Sequence, residues 1–268
     1  MRATAWIAVN VFRESVRDKV LYNLVLFAIL LMGSSYLIGQ LTAGQDIKII
    51  KDLGLASITI FGLFIAVFIG IGLVSKEVER RSIYSLLSKP IHRYQLVLGK
   101  YAGLLLTLAV NVGIMVAAFY LVLAYMQWMA PRDMLLALDG PALDPRMLKA
   151  VVLTFSELSV ITAIALFFST FSSPMLSAGF TAAMYVAGHF SADLRNFNQV
   201  VDSKTVSIVT RGLYWLLPNL APFDVKSQVV HSLPVSAGYM AMTIAYAAAY
   251  IGMLLTMAVL IFSRRDFK

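Results

Sequence analysis

Glu157 is the one formal charge far inside an apolar run of the chain, TFSELSVITAI, with Ser156 and Ser159 on either side of it. A charge at the bilayer centre costs about 2.5–3.5 kcal/mol on insertion scales, so such residues usually turn toward the bundle interior and work there. Two chemistries suit it. One is a polar point on a substrate path or at a seam between subunits. The other is a structural carboxyl, protonated or hydrogen-bonded, beside Ser156 and Ser159. His189 could serve as a metal or proton site or as a plain polar helix end. The three histidines, His92, His189 and His231, are far apart with no HxxxH or HExxH spacing, and there is no cysteine. That composition excludes disulfides, thiolate metal sites and cysteine nucleophiles, and supports no metal centre. Asn23 and Asn111 suit hydrogen bonds between helices. No G-x-x-x-x-G-K-[ST] phosphate loop occurs; GIG (70–72) and LGK (98–100) lack its spacing. The chain therefore does not hydrolyse ATP by that route.

The densest charge lies elsewhere, in SKEVERRSIYSLLSKPIHRYQLVLGK (75–100). It holds six Lys/Arg, two Glu and one His between two strongly apolar runs. Residues 76–88 can form a short amphipathic helix. Ile83, Tyr84, Leu86 and Leu87 make its apolar side, and Glu77, Glu79, Arg80 and Arg81 crowd its first turns. Pro90 stops it, because proline lacks the N–H and disfavours helix in the residue before it. Such a helix either rests on a bilayer or inserts its apolar side into a partner's groove. Two early acids are unhelpful on an anionic leaflet, which favours the partner.

The elements that position these residues follow from hydropathy. The chain has 268 residues, 60% hydrophobic and 13% charged, with mean hydropathy +0.81. Soluble domains are about 25% charged, so this is an integral membrane protein with a single membrane domain. The net charge of +8 gathers at membrane boundaries, which excludes nucleic acid as the expected partner. Six runs reach the roughly 20 apolar residues that a span needs: 21–39, 53–74, 101–126, 148–171, 174–192 and 238–262. Residues 1–20 differ. Ala5, Val9, Phe12, Val16 and Val20 share one helical face and Asn10, Arg13, Glu14, Arg17 and Asp18 the other, the pattern of a helix lying in the membrane interface. With the N-terminus inside, the inner segments carry 13 Lys/Arg against 5 Asp/Glu and the outer ones 8 against 8. Both termini are therefore expected in the cytoplasm. The outer loop 193–237 contains LYWLLPNLAPF and should fold into short helices or re-entrant pieces, broken at Pro218 and Pro222. The small residues Ala241, Ala245, Ala248 and Gly252 suit close helix contact, more often within a subunit than at a dimer seam; Gly62 and Gly70 are similar.

The order of residues in 75–100 resembles the loop of ABC-2 type permeases, the membrane subunits of ATP-binding-cassette exporters. Glu77, Glu79, Ser82, Leu86, Leu87, Pro90, Arg93, Gly99 and Lys100 fit that pattern, while Arg81-Ser82 departs from the Gly-Thr common there. The interfacial helix, six spans, STFSSP (169–174) between the fourth and fifth and LPNLAPF before the last agree with it. The resemblance implies an all-α membrane protein: six transmembrane helices, an N-terminal interfacial helix, and a cytoplasmic coupling helix between helices 2 and 3. Glu77, Glu79, Arg80, Arg81, Ile83, Tyr84, Leu86, Leu87, Pro90 and Arg93 would contact a separate cytoplasmic ABC ATPase, which would bind ATP and Mg; this chain would bind no cofactor. A second copy or a related permease would complete the transporter in a bacterial inner membrane. Lipids, glycans or small hydrophobic molecules are the expected substrates. The alternative is a non-transport membrane anchor or a mechanotransmission subunit of an ATPase-driven envelope complex. A membrane-embedded enzyme would need clustered acid, His or Ser groups at one face, and none is evident.

Overall fold

Long apolar runs must form helices in lipid, because only a helix pairs every backbone group within its own segment. The computed structural model describes residues 2–40, 46–79, 92–129, 143–191 and 217–264, with no strand among them. After α1 (Arg2–Val16) come α2 (Lys19–Gln40), α3 (Asp46–Glu79), α4 (Arg93–Met129) and α5 (Met147–Ser169). Then follow α6 (Pro174–His189), a 3₁₀ turn at Ala221–Phe223, α7 (Lys226–Val230) and α8 (Ala237–Arg264). Five of these, α2, α3, α4, α5 and α8, are long and apolar enough to cross a membrane. The run expected as the fifth span forms α6, of 16 residues. At 1.5 Å per residue it reaches about 24 Å, short of a core of roughly 30 Å.

Helices α3 and α4 outrun their apolar cores. The expected spans 53–74 and 101–126 become helices of 34 and 37 residues, about 51 and 55 Å long. Charge ends an apolar run but does not end a helix, so hydropathy marks where lipid contact stops and not where the backbone stops winding. Residues 75–79, expected to open a loop, thus continue α3 without a break.

Helix α5 is the central pillar, with Glu157, Leu158, Val160, Ile161, Ala163 and Ile164 all essentially inaccessible. α3 reaches it through glycines two turns apart. A Cβ at Gly62 would sit 2.5 Å from Leu158 Cδ1, and one at Gly70 2.5 Å from Ala165 Cβ. Close approach of this kind maximises dispersion contact where lipid offers no hydrophobic drive. The corresponding expectation for the last helix is not met. Ala241, Ala245, Ala248 and Gly252 on α8 all face out of the subunit, and nothing lies within 4 Å of a Cβ at Gly252. The other side of α8, with Ala247, Leu254, Leu255 and Ala258, is the buried one.

Helix α1 lies across the start of α4. Cβ atoms at Gly99 and Gly103 would come 2.8 Å from Ile7 Cβ and 2.6 Å from the Ala8 carbonyl oxygen. Val11 and Ser15 are buried there, while Ala5, Trp6 and Val9 stay exposed. The face expected to be apolar is therefore the one turned away from the bundle.

Two ends of the bundle result. One gathers α1, the end of α3, the start of α4, the turn 170–173 and the end of α8. The other gathers the start of α5, the end of α6 and residues 217–235, which form a cap. Among the described residues, both the first and the last helix thus finish at the same end.

Candidate functional site

At the first end, Glu77 and Glu79 occupy the last turn of α3. Arg80, Arg81, Ile83, Tyr84, Leu86, Leu87 and Pro90 lie outside the described residues. The chain returns at His92, and Arg93 opens α4. Its guanidinium Nη1 donates to the carbonyls of Phe262, at 2.9 Å, and Ser263, at 2.7 Å. These belong to the last turn of α8, where carbonyls lack helical partners and the helix dipole is negative. Arg93 is thus a cap for another helix. Beneath it Leu96, Val97, Lys100, Leu166, Thr170 and Phe262 line a small cleft between α4, α5 and α8. Whatever is attached to residues 80–91 is therefore joined on one side to α3 directly, and on the other to α4, α1 and α8 together.

Half-way up the bundle stands Glu157. It is 1% exposed. The tight turn after α5 sets its partner: Glu157 lies 14 residues before Phe171 and His189 lies 15 after Pro174, so both stand about 21–23 Å above the turn. His189 Nε2 is 3.3 Å from Glu157 Oε1. The approach is close yet lacks the alignment of a hydrogen bond, and Oε1 has no hydrogen-bond partner. The two serines do not serve it. Ser156 Oγ donates to Val152 O at 2.8 Å and Ser159 Oγ to Phe155 O at 2.7 Å, each within its own helix. Tyr101 of α4 donates to the Ser159 carbonyl at 3.1 Å. The expected trio Glu157, Ser156 and Ser159 therefore does not converge.

The residues that do approach Glu157 come from α6 and from the cap. Lys226 Nζ donates to Thr59 Oγ1 of α3 at 3.3 Å and sits 3.6 Å from Asp224 Oδ1, and both charges act on Glu157 electrostatically. The cap itself is stitched down by polar contacts: Leu220 N to Gly188 O at 3.0 Å, Ser191 Oγ to Asn219 Oδ1 at 3.0 Å, Asn219 N to Tyr246 Oη at 2.8 Å, and Lys149 Nζ to Val235 O at 2.8 Å. Gly188 makes this possible, since a Cβ there would fall 2.9 Å from the Pro218 carbonyl oxygen. Sequence reasoning missed Lys226, Asp224 and Thr59. The near-equal spacing of 157 and 189 about the Ser172-Ser173 turn is the signal that points to His189.

Below this polar level a groove of ≈ 860 Å³ runs between α3 and α6. Leu63, Phe64, Val67 and Phe68 form one wall and Met175, Ala178, Ala182 and Val186 the other. Tyr185 closes its upper end, and its ring stands 4.6 Å from that of His189. The groove lies where α6 buries little beyond Ser177, Thr181 and Gly188. An apolar cleft beneath a polar ceiling can hold the hydrocarbon part of a molecule while testing its polar part. Among the described residues no group of three or more metal-ligating side chains occurs.

The family model described as "ABC-2 family transporter protein" matches residues 5–267. No curated protein matches the chain.

Proposed function

The chain belongs to the ABC-2 transporter family, and from that premise we propose that it is the permease subunit of an ATP-driven exporter. Permeases of this kind work with a cytoplasmic ABC ATPase, a separate polypeptide that binds ATP and Mg. The chain's share is a bistable helical bundle with two access states, biased by the partner's nucleotide. A second copy of the chain, or a related permease, completes the transporter. The bundle sits in a bacterial inner membrane with both termini in the cytoplasm, and α6 with the cap completes a sixth, composite crossing. α1 lies in the interface with Trp6 and Val9 toward lipid.

Residues 76–91 couple the two proteins. Leu86, Leu87, Ile83 and Tyr84 seat in the ATPase, and Glu77, Glu79, Arg80 and Arg81 surround that contact. A push there reaches α3 through its unbroken backbone. It reaches α4, α1 and α8 through Arg93 and the glycine contacts at 99 and 103. The two limbs of one loop thus act on different helices of the bundle, and α3 is a wall of the groove.

The groove carries this reading. It is apolar, opens sideways, and occupies the half of the bundle nearest the ATPase. A lipid, a lipid-linked glycan or a small hydrophobic molecule could enter it from the inner leaflet. The test is co-purification of a separately encoded ATPase with the tagged protein in mild detergent, for the wild type and for Leu86→Asp. The ATPase is expected with the first and lost from the second, with membrane insertion unchanged. No ATPase with the wild type, or full retention with Leu86→Asp, overturns the assignment.

A further inference from the structure

We propose that Glu157 and His189 form a proton-binding site inside the membrane, loaded from the capped end of the bundle. The argument starts from His189. Its Nδ1 lies 3.1 Å from the Tyr185 carbonyl oxygen, and a carbonyl can only accept, so Nδ1 carries the hydrogen. A neutral ring then presents a bare lone pair at Nε2. That lone pair lies 3.3 Å from Glu157 Oε1, off the line of a hydrogen bond. If the carboxyl were ionised, two acceptors would oppose each other at contact distance with no hydrogen between them. Oε1 also has no donor from any other described side chain, and a buried anion left so is costly. One proton on the carboxyl removes both penalties at once.

The same two residues supply a route. His189 is 26% exposed and Glu157 2% at the side chain. A proton from water at the capped end adds to Nε2, giving the imidazolium with Nδ1–H retained. It then passes to Oε1, the ring returns to its neutral form, and the carboxylate becomes a neutral acid. Release runs the steps in reverse.

The surroundings say what the charge state would change. α6 presents Tyr185, whose ring stands beside that of His189, and α3 presents Thr59, which accepts from Lys226 Nζ. The cap brings Lys226 and Asp224. With Glu157 neutral, Lys226 is left to Asp224 and Thr59, as found. With Glu157 ionised, Lys226 is drawn inward and the cap is pulled against α5 and α6. The proton thus acts on the seal above the groove. The site is independent of any transported molecule and stands whether or not the permease reading holds.

Infrared difference spectroscopy on the full chain in lipid tests this, with D₂O as the probe. The wild type is expected to show the carbonyl band of a protonated carboxylic acid at neutral pH. Glu157→Gln should abolish that band, and Asp144→Asn, at the other buried carboxyl among the described residues, should leave it. In His189→Gln the band should persist while its D₂O-induced shift slows several-fold. Should Glu157→Gln fail to fold, the wild-type band must still disappear on raising the pH. A wild type without a protonated-acid band at neutral pH, or one whose band does not depend on Glu157, refutes the site. Unchanged exchange in His189→Gln refutes the route.

Discussion

Arg93 holds two carbonyls of a helix that begins 144 residues later in the chain. Hydrogen bonds to a charged group contribute about 1.5–3 kcal/mol, so losing this clamp loosens the end of α8 without touching the core. Arg93→Gln is therefore expected to keep the ATPase bound but lower its coupling. The structural readout is available because the chain has no native cysteine. Leu96→Cys and Phe262→Cys, both in the cleft under Arg93, should cross-link readily with Arg93 present and several-fold less with Arg93→Gln. Loss of ATPase binding with cross-linking intact would place Arg93 on the partner's surface, where sequence pattern alone puts it. The clamp is invisible in sequence for a plain reason: an arginine beside a basic loop looks like surface charge, and its acceptors are backbone carbonyls with no residue signature. That Glu157 turns into the bundle was legible, since the cost of its charge in lipid is local. Its charged neighbours in the cap were not, since Lys226 and Asp224 come near it only through the fold.

At the scale of elements, the glycines of α3 separate two kinds of close contact. The Cβ of Gly62→Ala would meet the tip of Leu158, a flexible side chain that can turn aside. The Cβ of Gly70→Ala would meet Ala165 Cβ at 2.5 Å and the Thr162 carbonyl at 3.4 Å, which cannot move without moving α5. Overpacking of this sort costs about 1–3 kcal/mol. Thermal unfolding in detergent should therefore show Gly70→Ala clearly destabilised and Gly62→Ala nearer the wild type; the reverse order would mean α3 and α5 pack in another register. The apolar runs and the tight turn at 170–173 were readable, because lipid demands unbroken hydrophobic length. The true lengths of α3 and α4 were not, because a helix continues into water wherever nothing breaks it. The outward face of the α8 stripe was equally hidden: small residues permit close approach but do not say which neighbour approaches.

For the molecule as a whole, the proposed function makes the groove and the loop end one device. α3 is both a groove wall and the upstream limb of the segment 76–91. α6, the other wall, is tied to the cap through Gly188 and Asn219. A displacement at the loop end should therefore change the separation of α3 from α6 before it disturbs the capped end. The measurement that bears most directly on this is the distance between spin labels at Phe68→Cys on α3 and Ala178→Cys on α6, in the complex with its ATPase, with and without ATP and Mg. The account predicts that nucleotide shifts the distance distribution across the groove, and that Leu86→Asp abolishes the shift while leaving the nucleotide-free distance unchanged. A distribution that ignores nucleotide while the ATPase stays bound would contradict it, and would leave the chain an anchor for an ATPase whose stroke is spent elsewhere.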